Sequence, residues 1–158
     1  MWVGVLSDTL EGVHPEIFTL FEGLDFIIHC GGIGNFQILN DLSNLSPISG
    51  VLGGEDSPDE YPFEEVLFRE MAGVNVLVAH EVGTPAKPQD RIQALLKLHQ
   101  PKVVLFGRSK EPFNATVDER LWLNPGSASP QGRKGPSSAG LLEIDGQSVR
   151  GEIVYLTN

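Results

Sequence analysis

The sequence has almost no cysteine and no long hydrophobic segment. Cys30 is the one cysteine among 158 residues, which excludes an internal disulfide and favours a reducing compartment. No apolar stretch approaches the ~20 residues that a membrane-spanning helix needs. The first residues, MWVGVLSD, lack the basic segment that begins a secretory signal. We therefore expect a cytoplasmic protein with no membrane partner.

Positive charge is also scarce. The chain has 11 Lys and Arg residues against 21 Asp and Glu, a formal net charge of −10. Phosphate backbones and anionic membrane surfaces repel such a chain, so nucleic acid is not expected as a partner. Hydrophobic residues make up 41% of the sequence, enough for an ordinary core. The length favours one domain, which we expect to span residues 1–158.

Unbroken apolar segments that end at a glycine or a polar residue are the most regular feature of the chain. Such segments are typical of strands that are buried on both faces of a sheet. They lie at Trp2–Leu6, Asp25–Cys30, Ile48–Leu52 and Val103–Phe106. Helical apolar spacing follows the first segment from about His14, follows the second after an Asn35 cap, and recurs over Gln89–His99. Strands that alternate with helices predict βαβ units and a parallel sheet.

The other segments predict antiparallel strands. Glu65–Met71 and Val74–Ala79 are separated by Ala72-Gly73, which predicts a hairpin. From Phe113 to Leu156 the pattern is that of antiparallel β-structure, interrupted by a polar loop over Ser129–Ser138. We therefore predict an α/β fold in which a parallel half is followed by a β-rich half. Its two sheets pack face to face, with the helices outside.

Polar residues and glycines gather at the carboxyl ends of the predicted strands. In open α/β sheets, ligands bind outside these ends, so this edge is where we expect a functional site. The residues are Ser7 and Asp8, Gly31 and Gly32, Gly53 to Asp56, His80, and Gly107 to Lys110. Within the second strand we interpret His29 as a hydrogen-bonded core histidine and Cys30 as an inert buried thiol.

The ordered series of these segments resembles the small calcineurin-like metallophosphoesterases. The series is strand-S-D-T, I-I-H-C-G, V-x-G-G-x-D, L-V-A-H, V-L-F-G and L-N-P-G-S, from Val3 to about Ile144. It is similar to short bacterial and archaeal phosphodiesterases and to the related retromer scaffold subunit of eukaryotes. The resemblance implies a four-layer α/β/β/α sandwich of two mixed sheets. In active members it also implies two divalent metal ions, which promote phosphoryl transfer to water.

This chain keeps two of the seven metal ligands that the resemblance implies. Asp8 matches the Asp of the first motif and His80 matches the His after the fifth strand, while Gly32 replaces the carboxylate that bridges both metals. The other ligand positions hold Leu10, Gly54, Arg108 and Lys110. Leucine and glycine have no ligating side-chain atom, and arginine stays protonated. We expect no dinuclear centre and no cofactor. The alternative is one Mn, Zn or Fe ion at Asp8 and His80, with the nearby Asp56 as a third candidate ligand.

Arg108 and Lys110 place two positive charges where metal ions would have been. They could pair with Asp8 and Asp56, whose carboxylates would otherwise lack a counter-ion. The other interpretation is that the two cations bind the phosphate or carboxylate of a small ligand directly. We favour the ion pairs, because buried carboxylates require partners.

Three functions are open at this point. The first is a degenerate phosphoesterase that has become a non-catalytic binding or scaffold protein, with a protein or a small phosphate-containing ligand as its partner. The second is a phosphodiesterase or phosphatase with a rebuilt or single-metal site, using Asp8, Asp56 and His80. Further ligands would come from loops that fold inward: His14, Glu55 and Glu81. The third is a metal-free binder of a small anion at the two cations. We favour the first, because five of the seven ligands are missing.

Overall fold

The computed structural model describes residues 1–10, 12–130 and 135–157, which form ten strands and three helices. The strands are β1 Trp2–Leu6, β2 Phe26–His29, β3 Ile48–Gly50, β4 Val66–Met71, β5 Val74–Ala79, β6 Val103–Leu105, β7 Phe113–Val117, β8 Arg120–Asn124, β9 Ser138–Asp145 and β10 Ser148–Tyr155. The helices are α1 Glu16–Leu20, α2 Phe36–Ser43 and α3 Asp90–His99. The loop predicted over Ser129–Ser138 lies partly outside the described residues, at 131–134, and its last residue begins β9.

Each of the two sheets contains parallel and antiparallel strands. Sheet 1 has the order β10-β9-β1-β2-β3, and sheet 2 has the order β4-β5-β6-β8-β7. The predicted order of a parallel half followed by a β-rich half holds along the chain, but the two halves do not form separate sheets. The C-terminal hairpin pairs with the N-terminal strand, with Val3 opposite Leu142, and β8 lies parallel to β6. An apolar pattern identifies a buried strand, but it does not specify which strand lies beside it.

The two sheets pack face to face and helices cover both outer surfaces. One buried cluster joins side chains of sheet 1, such as Val5 and Ile28, to side chains of sheet 2, such as Val78 and Leu105. Helices α1 and α2 pack on the outer face of sheet 1, and α3 packs on the outer face of sheet 2. The predicted four-layer α/β/β/α sandwich of two mixed sheets is confirmed. Each fully buried leucine or isoleucine contributes about 1.5–3 kcal/mol to this packing.

Local signals in the sequence determine where helix α2 begins. The Asn35 side chain accepts a hydrogen bond from the backbone N–H of Ile38 at 3.2 Å, so Asn35 is the predicted cap. The loop before it, from Gly31 to Gly34, follows β2 and lies at the carboxyl edge of sheet 1. Within the described ranges, every helix is too short or too polar to cross a membrane.

Candidate functional site

The carboxyl ends of the parallel strands meet at one open cleft. Five positions that are distant in sequence line it: Asp8, Gly32, Gly54, His80 and Arg108, with Lys110 beside them. Its volume is about 580 Å³. The structure therefore brings these five positions together, as the sequence predicted. It arises because parallel strands place all their carboxyl ends at the same edge.

Asp8 and His80 face one another in the floor of the cleft. The Nδ1 atom of His80 lies 2.7 Å from the carbonyl oxygen of Cys30. A carbonyl only accepts hydrogen bonds, so Nδ1 carries the proton that is donated. Nε2 then points toward Oδ1 of Asp8, at 3.9 Å, while Oδ2 accepts a hydrogen bond from Ser7 Oγ at 2.7 Å. In the neutral form of His80, its Nε2 and the Oδ1 of Asp8 are both hydrogen-bond acceptors, and they face one another in the cleft.

Glycines allow the His80 ring to lie this close to the strand ends. A Cβ atom on Gly31 would lie 2.7 Å from Nδ1 of His80, and a Cβ atom on Gly53 would lie 2.9 Å from its Cδ2. Any other residue at these positions would displace the ring or the backbone. The packing of one histidine therefore explains the glycines at positions 31 and 53.

Both carboxylate oxygens of Asp56 accept hydrogen bonds from backbone N–H groups. Its Oδ2 accepts hydrogen bonds from the N–H groups of Gly32 and Gly53 at 2.9 and 2.7 Å, and its Oδ1 accepts one from Ile33 at 2.9 Å. These three bonds connect the loop after β2 to the loop after β3. Asp56 lines the cleft, and both of its carboxylate oxygens support the cleft wall, so its role as a third metal ligand stays a prediction.

Arg108 also differs from the expectation. Its Nη1 donates to Oε2 of Glu81 at 2.8 Å, and both side chains are about half exposed. The predicted pairing of Arg108 with Asp8 or Asp56 is wrong. The reason is that Glu81 directly follows His80 and reaches the cleft edge, while Asp56 is already stabilised by backbone N–H groups. An exposed ion pair of this kind contributes about 0–1 kcal/mol.

The further ligands considered from sequence do not complete a metal site. Glu55 lines the cleft, and Glu81 pairs with Arg108. His14 is buried elsewhere, where its Nδ1 accepts a hydrogen bond from the backbone N–H of Glu16. In the part of the chain that the structure describes, no three His, Cys, Asp or Glu residues are grouped so that they could hold a metal ion.

The backbone at position 32 opposes a bridging carboxylate. Gly32 has φ +72°, and a Cβ atom added there would lie 2.6 Å from Oδ1 of Asp8 and 3.1 Å from its Cα. A side chain at this position would therefore require the Asp8 carboxylate to move. Because Gly32 has no ligating side-chain atom, the bridging ligand is missing, and the residues present do not fit a dinuclear metal centre.

This conflict predicts different results for two glycine substitutions. Gly32→Asp is expected to lower the free energy of unfolding by about 2 kcal/mol, because it adds a left-handed non-glycine residue and a contact with Asp8. Gly54→Asp is the matched control, because a Cβ atom on Gly54 meets nothing within 4 Å. We expect its effect to stay within about 0.5 kcal/mol. Urea denaturation measures both, and equal losses would contradict this account.

Four non-glycine residues of the cleft have a left-handed backbone. Asp8, Leu10, Arg108 and Lys110 have φ values of 52°, 45°, 68° and 64°, and all four line the cleft. This conformation costs a non-glycine residue roughly 1–2 kcal/mol, and such strain is concentrated at functional sites. No sequence pattern indicates it, least of all for Leu10.

Sequence reasoning missed four residues that line the cleft: Gly34, Ser57, Glu60 and Tyr61. Glu60 and Tyr61 line the cleft, yet they lie in a loop whose polar composition indicated only a connection. Tyr61 is 5% exposed and belongs to a small apolar cluster with Ile33, Leu39 and Leu52. The one available signal was an aromatic residue within an acidic loop, and this signal is weak.

His29 lies beneath the cleft and is neutral. The Thr9 hydroxyl donates to the carbonyl of Ile33 at 2.6 Å, so its oxygen accepts the Nε2–H of His29 at 3.0 Å. The backbone N–H of Gly31 donates to Nδ1 of His29 at 3.1 Å. Burial lowers the pKa of His29 to about 3. The core role predicted for this residue is confirmed.

Burial and the charge of Asp8 raise the pKa of the Cys30 thiol, which makes it unreactive.

Comparison with known proteins adds family information to this geometry. The family model for the calcineurin-like phosphoesterase superfamily domain matches residues 1–147. A probable metallophosphoesterase of Methanothermobacter thermautotrophicus is 27% identical over 161 residues, which cover 98% of this chain and 92% of that protein.

Two solved structures have a similar fold. Vps29 of Chaetomium thermophilum superposes with a TM-score of 0.78 at 14% identity, covering 99% of this chain and 98% of that one. Vps29 of Entamoeba histolytica complexed with Zn²⁺ superposes with a TM-score of 0.74 at 20% identity, covering 98% and 99%. At these identities the likeness concerns the fold alone.

Proposed function

This chain belongs to the calcineurin-like phosphoesterase superfamily, and we propose that it is a non-catalytic binding protein rather than a dinuclear-metal hydrolase. The observation that carries the proposal is Gly32, which has no ligating side chain and whose left-handed backbone lies against the Asp8 carboxylate. Without the bridging carboxylate, two metal ions a few ångströms apart cannot be held to activate water.

The cleft supports a binding role. Its loops retain four strained residues, and strain of this kind persists where the surrounding structure maintains a functional surface. Because Glu81 neutralises Arg108, we propose a protein partner in preference to a small anion. Vps29 proteins share the fold, and a cytoplasmic location agrees with the single buried cysteine.

A single-metal phosphoesterase is the second candidate, and the pair of Asp8 and His80 favours it. The Cys30 carbonyl orients His80 so that the lone pair of neutral Nε2 faces Asp8. Ligating histidines are commonly oriented in this way. In this alternative the two residues would hold one Zn, Mn or Fe ion, which would polarise a phosphate oxygen.

Hydrolysis of bis-p-nitrophenyl phosphate distinguishes the two functions. We expect the wild-type rate to stay at background with added Mn²⁺ or Zn²⁺, and to equal the rate of an Asp8→Ala variant, because no water-activating centre forms. A metal-dependent rate that Asp8→Ala abolishes would reject the binding proposal and support the single-metal enzyme. Arg150→Ala, at a distant exposed position, is the control for substitution itself.

A further inference from the structure

The floor of the cleft contains two acceptor atoms that face one another. Oδ1 of Asp8 and Nε2 of His80 lie 3.9 Å apart, which is beyond hydrogen-bond distance. Ser7 donates to Oδ2 of Asp8, and Nδ1 of His80 donates to the carbonyl of Cys30. In the part of the chain that the structure describes, no donor forms a hydrogen bond with Oδ1 or with Nε2. Both atoms therefore keep a lone pair for a group that enters the cleft.

Asp8 is also a buried charge. Its side chain is 4% exposed, so water solvates its carboxylate poorly. Among the described residues, the one basic nitrogen within 4.0 Å of this carboxylate is Nε2 of His80. Because the proton of neutral His80 is on Nδ1, Nε2 brings no positive charge. A buried carboxylate without a cation is unfavourable, so a ligand that carries a positive charge to this point would stabilise the site.

Carboxylates also dominate the walls of the cleft. The four that line it are Asp8, Glu55, Asp56 and Glu60. The two cations that line it are Arg108 and Lys110, and the charge of Arg108 is balanced by Glu81 at 2.8 Å. The cleft therefore attracts cations and disfavours phosphate or carboxylate groups.

We propose that this cleft binds the ammonium group of a lysine side chain that a partner protein inserts between Asp8 and His80. The inference rests on the proposed function and names what the protein partner presents. One nitrogen can lie about 2.8–3.0 Å from both acceptors, because these are only 3.9 Å apart. An ammonium group has three donors on one nitrogen and can bond to both. The guanidinium group of arginine holds its donors in a wide planar fork, which does not match two acceptors that converge on one point.

The lining of the cleft favours a lysine of a protein over a free amine. Gly32, Gly53 and Gly54 line it without side chains to fill it, and Leu10 and Tyr61 line the same space. The methylene stem of a lysine can pack along such apolar surface while its charged end reaches the floor. A free ammonium compound loses translational freedom for few contacts, whereas a partner chain adds contacts with the exposed walls.

The test uses a short glycine–serine peptide with one central lysine and blocked ends, titrated into isotope-labelled protein. We expect a Kd on the order of 1 mM at low salt, with NMR shifts centred on Gly32, Gly53 and His80. A matched peptide with Nε-acetyl-lysine keeps the stem and loses the charge, so it should bind about tenfold more weakly. An arginine peptide should bind about threefold more weakly.

Three results of this titration would overturn the proposal. The first is equal binding of the lysine and acetyl-lysine peptides, because the charge would then not be recognised. The second is butylammonium binding as tightly as the lysine peptide, because a free amine would then be the ligand. The third is a set of shifts centred outside the cleft.

Two substitutions that each remove one negative charge test the role of Asp8. Asp8→Asn is expected to weaken binding of the lysine peptide about tenfold or more. Asp59→Asn removes the same charge at an exposed position outside the cleft lining, and should weaken binding less than about twofold. Equal losses in the two variants would overturn the proposal. The comparison of peptides on the wild-type protein decides the question even where Asp8→Asn fails to fold.

The failure of this inference can be distinguished from the failure of the proposed function. If the lysine peptide does not bind while hydrolysis of bis-p-nitrophenyl phosphate stays at background, the lysine assignment is overturned and the non-catalytic role stands. Metal-dependent hydrolysis that Asp8→Ala abolishes would reject both. An imidazolium form of His80 in the free protein at neutral pH, measured by side-chain nitrogen shifts, would overturn the inference alone, because the counter-ion of Asp8 would then belong to the chain itself.

Discussion

Replacing Asp56 with asparagine is expected to lower the free energy of unfolding by about 3 kcal/mol. The carboxylate accepts hydrogen bonds from Gly32, Ile33 and Gly53, and each hydrogen bond to a charged group contributes ~1.5–3 kcal/mol. The loss is smaller than three such bonds because Asp56 is partly exposed and because the asparagine oxygen keeps some of them. The asparagine NH₂ group cannot accept, so at least one backbone N–H loses its partner. Urea denaturation at neutral pH measures the change.

Asp59→Asn is the matched control for this substitution. Asp59 lies three residues further on and is exposed, so we expect an effect within about 0.5 kcal/mol. The Asp56 variant should also show faster amide exchange at Gly32 and Gly53. If Asp56→Asn and Asp59→Asn cost the same, the carboxylate does not hold the two cleft loops together.

Acid is expected to destabilise the protein through His29. The unfolded histidine has a pKa of 6.5, and burial lowers the folded-state pKa to about 3. The native state therefore excludes a proton that the unfolded state binds below pH 6.5. The stability from neutral His29 is fully present above pH 6.5 and is lost as the pH falls toward 3, so the decrease from pH 7.5 to 5 is about 2 kcal/mol. Urea unfolding over this range measures it.

A glutamine at position 29 separates this contribution from that of other groups. His29→Gln can still donate to Thr9 and accept from Gly31, but it does not titrate. Its stability at pH 7.5 should be lower than that of the wild type, while its decrease between pH 7.5 and 5 should be about 2 kcal/mol smaller. Measurements at pH 7.5 and 8.5 are the internal control, because His29 contributes no slope there. The same acid dependence in both proteins would contradict the role assigned to His29.

The strands could be predicted from the sequence, but their neighbours could not. Each unbroken apolar segment, such as Val103–Leu105, became a strand because it can be buried on both faces. The pairing of β9 with β1 joins residues about 140 positions apart. This pairing depends on which apolar surfaces fit together once two sheets have formed, and no local pattern contains that information.

Positions in the cleft could also be predicted, but the directions of their side chains could not. Asp8 and His80 converge because each follows a strand that ends at the same edge. That Asp56 turns to three backbone N–H groups and Arg108 to Glu81 depends on which donors and carboxylates the loops place nearby. The glycine at position 32 was recognisable as a lost ligand. Its left-handed backbone and its closeness to Asp8 were visible only in the structure.

Metal content tests the central claim most directly. The protein is incubated with Mn²⁺ or Zn²⁺, passed through a desalting column, and analysed for metal per chain by mass spectrometry. Because Gly32 supplies no bridging carboxylate, we predict fewer than one tightly held ion per chain, with no difference between the wild type and Asp8→Ala. Two ions per chain, both lost in Asp8→Ala, would contradict the account and restore a dinuclear phosphoesterase.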